Sequence, residues 1–342
     1  MATTIRDVAE AAGVSAMAVS KVLHGKGANV RVGAETAETI RRVANELHYQ
    51  PNRLARSFRQ QKTHTIGLVF SHFGRIGELD GYFAAFLNGV MSATFQSEYG
   101  LTICPKLVKL SANGVINDGR FDGLLWCKPD YSVQSAESIE RSEIPIVMMH
   151  APANQGPNVP RFCCDNDLGL KLAVEHLVEL GHKRIGFVMD EFNRSTAEGR
   201  ARIAGYRTAV AESHLESFDG DVLFWDIDRS KLDQMMTKEQ RPTALIVFSE
   251  RQAVSILREA EALGISVPED LSVVGFDSTA FCDTTRPRLT AISQPIEQMA
   301  YDATNVLISN IEGNPSPSRS FIYPCGLDIR ESTARPRISV LR

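Results

Sequence analysis

The sequence predicts two kinds of fold in one chain: an N-terminal all-α helix-turn-helix head, followed by an α/β body of two doubly wound parallel-sheet lobes. Three observations predict it. Residues 1–62 carry ten Lys/Arg against five Asp/Glu, a net of +5, whereas the rest carry 27 against 36, a net of −9. Within the basic segment, apolar residues recur at helical spacing on both sides of a tight turn. Beyond it, apolar runs alternate with amphipathic stretches in two successive series, as parallel strands covered on both faces do.

Composition narrows the function classes. With 342 residues, 43% of them hydrophobic and 23% charged, the chain reads as an ordinary globular protein of two or three domains. Collagen, a disulfide scaffold and a mostly disordered chain are excluded. No apolar run approaches the ~18–20 residues of a membrane span. Met1-Ala2-Thr3-Thr4-Ile5-Arg6-Asp7 has no basic region leading into an apolar core, so no secretory signal is expected. The cysteines at 104, 127, 163, 164, 282 and 325 form no C-x-x-C pair, which predicts buried reduced thiols in the cytoplasm and no zinc ribbon. A small basic head on an acidic body suggests a polyanion contact confined to the head. Charge alone would fit a solvated Arg-rich surface equally well.

In the head, Ile5, Val8, Ala9 and Ala12 share a helical face, and Thr4 with Asp7 can form a capping box. Gly13 stops that helix. Ser15 is an N-cap for a second helix with Val19, Val22 and Leu23 on its apolar stripe. A third helix is expected over 34–48, with Ile40, Val43, Ala44 and Leu47 inward. The turn Ala12-Gly13-Val14-Ser15 has the length a helix-turn-helix requires.

The run Thr4-Ile5-Arg6-Asp7-Val8-Ala9-Glu10-Ala11-Ala12-Gly13-Val14-Ser15, followed by Val19-Ser20-Lys21-Val22-Leu23, resembles the lactose-repressor (LacI/GalR) family of bacterial transcription regulators. Tyr49-Gln50-Pro51-Asn52 and Leu54-Ala55-Arg56-Ser57 resemble that family's approach to its hinge. The resemblance implies that the second helix enters the major groove, where Ala16 and Met17 touch thymine methyls and Lys21 reaches guanine or a phosphate. It implies phosphate contacts for Ser15, Ser20 and Thr36, with Thr4, Asn52, Ala55 and Arg56 completing the DNA-binding set. The loop Gly25-Lys26-Gly27-Ala28-Asn29-Val30-Arg31 is longer than the family's usual turn and reads either as a backbone contact or as a solvent loop.

Residues 51–62 are expected to form a hinge whose Pro51 opens a short helix. In the family this helix pairs with its symmetry mate in the minor groove and wedges an apolar side chain between base steps. Phe58 stands at the wedge position, where the family usually has Leu; the alternative for Phe58 is an anchor onto the body. Such a helix is far shorter than the ~12–15 residues that are stable alone, so DNA and the partner must supply its contacts.

In the body, apolar runs at 66–70, 101–104, 123–127 and 144–149 form one series, and those at 185–189, 222–225, 244–248 and 272–276 a second. Helical patterns fall at 83–97, 167–180, 197–212, 251–263 and 296–310. Ligands of such sheets bind at the carboxyl ends of the strands, here in the cleft between lobes. The family resemblance continues through Glu175-His176-Leu177, Leu180-Gly181-His182-Lys183-Arg184-Ile185-Gly186, Arg202-Ile203-Ala204-Gly205-Tyr206, Pro242-Thr243-Ala244 and Asp270-Leu271-Ser272-Val273-Val274-Gly275-Phe276-Asp277. It implies a body like periplasmic sugar-binding proteins, with crossovers near 162–166, 292–296 and 317–322. The first lobe is then expected over 63–162 and 295–319, the second over 163–294 and 320–337.

By that match, Arg202 and Asp277 grip a polyhydroxylated effector, a guanidinium fork and a carboxylate serving as donor and acceptor. Asp165 and Gln294 fall at crossovers, and Ser71, His72 and Phe73 follow the first strand. Trp225 either stacks on a sugar face or belongs to the core. His72 has no second ligand at metal spacing, so no metal is expected. Two departures stand out. Ser249-Glu250 replaces the family's usual Asn-Asp, and the Gly/Asn-rich stretch 109–120 is short where a full helix is expected.

The expected function is a DNA-binding repressor acting as a homodimer on a palindromic operator and responding to a small carbohydrate effector. It is expected in the cytoplasm, on the nucleoid when bound, with no cofactor, no membrane contact and no catalytic residue. An enzyme is disfavoured because the chain lacks G-x-G-x-x-G, Walker A and G-x-S-x-G motifs. A constitutive DNA binder whose body only dimerises is the other alternative.

Overall fold

The computed structural model describes residues 3–24, 31–50, 62–70, 81–104, 116–127, 133–151, 158–215, 218, 221–224, 229–238 and 241–337. The chain divides into two compact units, Met1–Thr63 and His64–Arg342. The expected hinge residues Asn52, Ala55, Arg56 and Phe58, the loop at 25–30, the expected pocket residues Ser71, His72, Phe73 and Trp225, and most of the 109–120 stretch lie outside the described residues.

Among the described residues, the first unit holds three helices, α1 (Ile5–Ala11), α2 (Ala16–His24) and α3 (Ala34–Glu46). Thr4 caps α1 in the expected capping box: its hydroxyl accepts from the Asp7 amide at 3.4 Å, and its own amide donates to the Asp7 carboxylate at 2.7 Å. The Ser15 hydroxyl accepts from the Ala18 amide at 3.2 Å at the start of α2. Gly13, at φ +62°, makes the turn between them in a region that L side chains rarely adopt. Val8, Val19 and Ile40 are fully buried, one from each helix, with Ala9, Val43 and Ala44 around them. The small core fits the small side chains, since alanine lets short helices approach closely.

Among the described residues, the second unit holds two six-stranded sheets. In the first lobe, β1 (Thr65–Phe70), α4 (Gly81–Phe95), β2 (Gly100–Ile103), β3 (Gly123–Cys127), α5 (Val133–Glu140), β4 (Ile146–Met149) and β5 (Arg161–Cys164) are joined late by α11 (Ile296–Ile311) and β11 (Ser320–Tyr323). The strand order is β11-β5-β4-β3-β1-β2, parallel throughout. The second lobe contains α6 (Asn166–Glu179), β6 (Ile185–Met189), α7 (Glu191–Arg194), α8 (Ala197–Glu212), β7 (Val222–Phe224), α9 (Arg229–Met236), β8 (Ala244–Val247), α10 (Glu250–Leu263), β9 (Ser272–Asp277), β10 (Thr290–Ser293) and β12 (Gly326–Asp328). Its order is β12-β10-β9-β8-β6-β7, with only β12 antiparallel. Central strands β1, β3, β4, β6, β8 and β9 are buried almost end to end because helices cover both faces. The edge strand β2 is largely exposed.

One boundary needs correction. β11 pairs with β5 from Ser320 to Tyr323 in the first lobe, whereas the sequence expectation began the second lobe's last stretch at 320. The chain therefore crosses for the third time between Tyr323 and Gly326. The short, half-exposed segment Ser-Phe-Ile-Tyr carries no strand signal strong enough to show this in advance.

Candidate functional site

In the head, Ala16 and Met17 open α2 with their side chains outward; Met17 is 62% exposed, so it is no part of the core. Ser20 and Lys21 follow half-exposed on the same helix, and Thr36 is half-exposed in the first turn of α3. Thr4 and Ser15 are exposed but already hold backbone amides as caps. Their role in the fold is thus visible, and any phosphate contact would be additional.

In the body, the second lobe assembles a charged floor. Arg202, on α8, is only 1% exposed, and its guanidinium is committed on every side. Nε donates to Asn166 Oδ1 at 3.0 Å, Nη2 to Glu198 Oε1 at 2.7 Å, and Nη1 to the Phe248 carbonyl. The cation lies 3.4 Å from the Phe276 ring centroid and 4.5 Å from that of Phe248. Burial opposes the Arg202 charge, but Glu198 and Asp277 outweigh it and hold the pKa above its ordinary value. Arg202 therefore organises the floor rather than projecting as a free fork.

Asp277 ends β9 at φ +97°, and Ser278 follows at φ +45°, two successive non-glycine residues in the left-handed half of backbone space. Asp277 Oδ1 accepts from Gln294 Nε2 at 2.6 Å, which brings the second crossover against the floor. Asp190, after β6, accepts from Gln252 Nε2 at 2.6 Å. The carbonyl oxygens of Gln252 and Gln294 are buried without a hydrogen-bond partner, two acceptors available to a donor-bearing ligand. Asp165 caps α6 through the Leu168 amide at 3.0 Å, and Ser249 caps α10 through the Gln252 amide at 3.3 Å.

Glu250 is fully buried. Its carboxylate accepts from the Thr279 amide at 3.0 Å and the Thr279 hydroxyl at 2.8 Å, and from the Tyr82 amide of the first lobe at 3.2 Å. Burial and the nearby Asp277 raise its pKa above the ordinary carboxylate value, against the donors that lower it. From the first lobe, the Tyr82 hydroxyl lies 2.5 Å from His150 Nε2 and 3.3 Å from Cys127 Sγ. His150 Nδ1 in turn lies 3.2 Å from Glu198 Oε1. That contact is an ion-pair distance off the hydrogen-bond axis, since Nδ1 has no hydrogen-bond partner by geometry. Burial first, then Cys127, push the Tyr82 hydroxyl well above its usual pKa, so it stays a neutral phenol.

The structure thus joins Arg202, Asp277, Gln294 and Glu250 in one buried polar region and places Asp165 and Ser249 beside it as helix caps. Sequence reasoning missed Tyr82, His150, Asp190, Glu198 and Gln252. Glu198 alone had a signal, lying four residues before Arg202 on one helix face. The six cysteines are free and buried, and burial raises the Cys163 thiol to about 11, which keeps it inert. Among the described residues, no cluster of His, Cys, Asp and Glu could hold a metal, and no helix is long and apolar enough to cross a membrane.

A basic helix-turn-helix head and a two-lobed α/β body with a buried polar region define the class of DNA-binding regulator that carries an effector-binding body. Residues 4–52 match the family described as bacterial regulatory proteins, lacI family, and residues 174–333 match the periplasmic binding protein-like domain. The HTH-type transcriptional repressor PurR of Aliivibrio salmonicida is 30% identical over 332 residues, covering 93% of this chain and 95% of its own. The lac repressor dimer bound to operator and the anti-inducer ONPF superposes with a TM-score of 0.81 at 25% identity, over 98% of this chain and 100% of that one. The CelR–cellobiose complex gives a TM-score of 0.70 at 25% identity, over 96% and 99%. The chain belongs to the lacI family of bacterial transcription regulators; it is a DNA-binding repressor with an effector-binding body, and its relatives are repressors rather than enzymes.

Proposed function

We propose that the protein binds a palindromic operator as a homodimer and releases or tightens that grip when a small carbohydrate occupies the interlobe cleft. The carrying observation is two buried amide oxygens still lacking donors, that of Gln252 beside Asp190 and that of Gln294 beside Asp277. Hydroxyl-rich ligands supply such donors. The solved CelR complex holds cellobiose in a protein of the same fold, which supports a sugar. Asp165, Ser249, Asp277 and Gln294 form the described part of the effector set, with Arg202 and Glu250 as the buried support beneath them and Ser71, His72, Phe73 and Trp225 completing it.

Dimerisation is supported by Met91 and Phe95 on α4 and Ile103 on the edge strand β2, which are 39%, 86% and 46% exposed. Large apolar side chains gathered on one lobe fit cover by a second copy. In the head, Ala16, Met17 and Lys21 read bases while Thr4, Ser15, Ser20 and Thr36 set register; Asn52, Ala55, Arg56 and Phe58 act at the hinge. Residues 1–50, 51–62 and 63–342 then serve as reader, hinge and sensor, in the cytoplasm and on the nucleoid.

A thermal-shift screen of the full-length protein against sugars, sugar phosphates and nucleobases tests the sensor. A ligand at ~100 times its dissociation constant stabilises by about 2.7 kcal/mol. Silence across the panel would favour the constitutive alternative. Lys21→Ala tests the reader. It should weaken operator binding by about 1–3 kcal/mol and relax base preference at one position, whereas uniform weakening on all sequences would make Lys21 a phosphate contact.

A further inference from the structure

We propose that Glu250 is a built-in latch that closes the two lobes on each other through the backbone amide of Tyr82, without waiting for an effector. The proposal adds to the sensor reading and does not depend on it.

The second lobe holds the carboxylate ready. Thr279 donates its amide at 3.0 Å and its hydroxyl at 2.8 Å, and Cys282 Sγ lies 3.4 Å away, so the group is oriented before the lobes meet. The first lobe offers what such a carboxylate seeks. The Tyr82 amide, at the start of the described part of α4, points its N–H at that carboxylate. An anion there also complements the helix dipole. The pair meets at 3.2 Å across the cleft.

Gly81 is the keyhole. A Cβ at this position would lie 1.7 Å from Thr279 Oγ1 and 2.9 Å from Glu250 Oε1, so no other residue lets the lobes approach this far. The other end of Tyr82 stays within its own lobe. Its hydroxyl meets His150, which faces Glu198 of the opposite lobe at 3.2 Å. The family's usual Asp at position 250 would be a methylene shorter. The longer Glu is what bridges the gap, and it gives a reason for the departure noted in the sequence.

The test is hydrogen exchange on the full-length protein with no ligand added. The change in Tyr82 amide protection when Glu250 or Gly81 is substituted reports the latch. The wild type should protect that amide. Glu250→Asp and Gly81→Ala, acting from opposite lobes, should each speed exchange there by roughly ten- to hundredfold, while α11 is unchanged. Alanine is the better helix former, so a loss of protection in Gly81→Ala cannot come from a weaker α4. Should Glu250→Asp fold poorly, Gly81→Ala still decides the matter. Both variants should also move ligand-free operator affinity in the same direction, because both shift one equilibrium. An exposed Tyr82 amide in the wild type, unchanged exchange in Gly81→Ala, or opposite shifts in operator affinity would overturn the latch. None of these outcomes bears on whether a sugar stabilises the protein, so the sensor reading stands or falls separately.

Discussion

The two lobes share a fold but prepare the cleft in different ways. The second contributes fixed charge: Arg202 between two aromatic rings, Glu198 and Asn166 on its fork, and Asp277 held by Gln294. The first contributes an aromatic hydroxyl, an imidazole and a helix N-terminus, gathered at Tyr82 and His150. The difference teaches a division of labour. Buried charge is tolerable only where every partner is preset, so it collects in the lobe that holds its own hydrogen bonds. The other lobe carries groups that can make or break contacts at small cost, and so it is suited to move.

The sharpest way to break this comparison is Arg202→Ala. Losing the cation withdraws the guanidinium from the buried Glu198 and Asp277, a cost of about 3–5 kcal/mol. Denaturant unfolding of the variant should show that loss, and a near-neutral result would mean the floor is not held by charge. Tyr82→Phe probes the other lobe. It removes the hydroxyl from His150 while keeping the ring and the amide, so about 0.5–1.5 kcal/mol should be lost. A cost rivalling that of Arg202→Ala would erase the distinction.

The smallest effect concerns pH. His176 and His182 in the second lobe hold the C-terminal segment through Thr333 and the Ala334 carbonyl, and burial lowers both below 6.5. The unfolded chain therefore takes up protons first as pH falls. The stability these groups add is complete above the unfolded value and is lost as pH drops through the folded one. Melting temperature should fall from pH ~7.5 to ~5.5, and less steeply in His182→Gln. An identical slope in both proteins would assign the pH dependence to other groups.

Much of this architecture was legible in the sequence because parallel strands buried on both faces are continuous apolar runs. Ile-Gly-Phe-Val-Met at β6 and Ala-Leu-Ile-Val at β8 announce themselves. Arg-Phe-Cys-Cys at β5 and Thr-Ala-Ile-Ser at β10 do not; they are short and mixed, and their pairing partners make them strands. Within the site, Arg202, Asp277 and Gln294 could be named from family-like motifs and crossover positions. Their hydrogen-bond partners could not, because Tyr82 and Glu250 are 168 residues apart and no local pattern records such a contact. Thr4, Asp165 and Ser249 show the converse: positions expected to touch a ligand also cap helices, a role that local sequence does encode.

The most direct test of the whole account is operator affinity measured with and without a sugar that the thermal-shift screen has shown to bind. Coupling between cleft and head requires that saturating ligand change the operator dissociation constant by some factor. Linkage then requires that operator-bound protein bind the sugar with an affinity altered by that same factor. An operator dissociation constant indifferent to a ligand that demonstrably occupies the protein would contradict it.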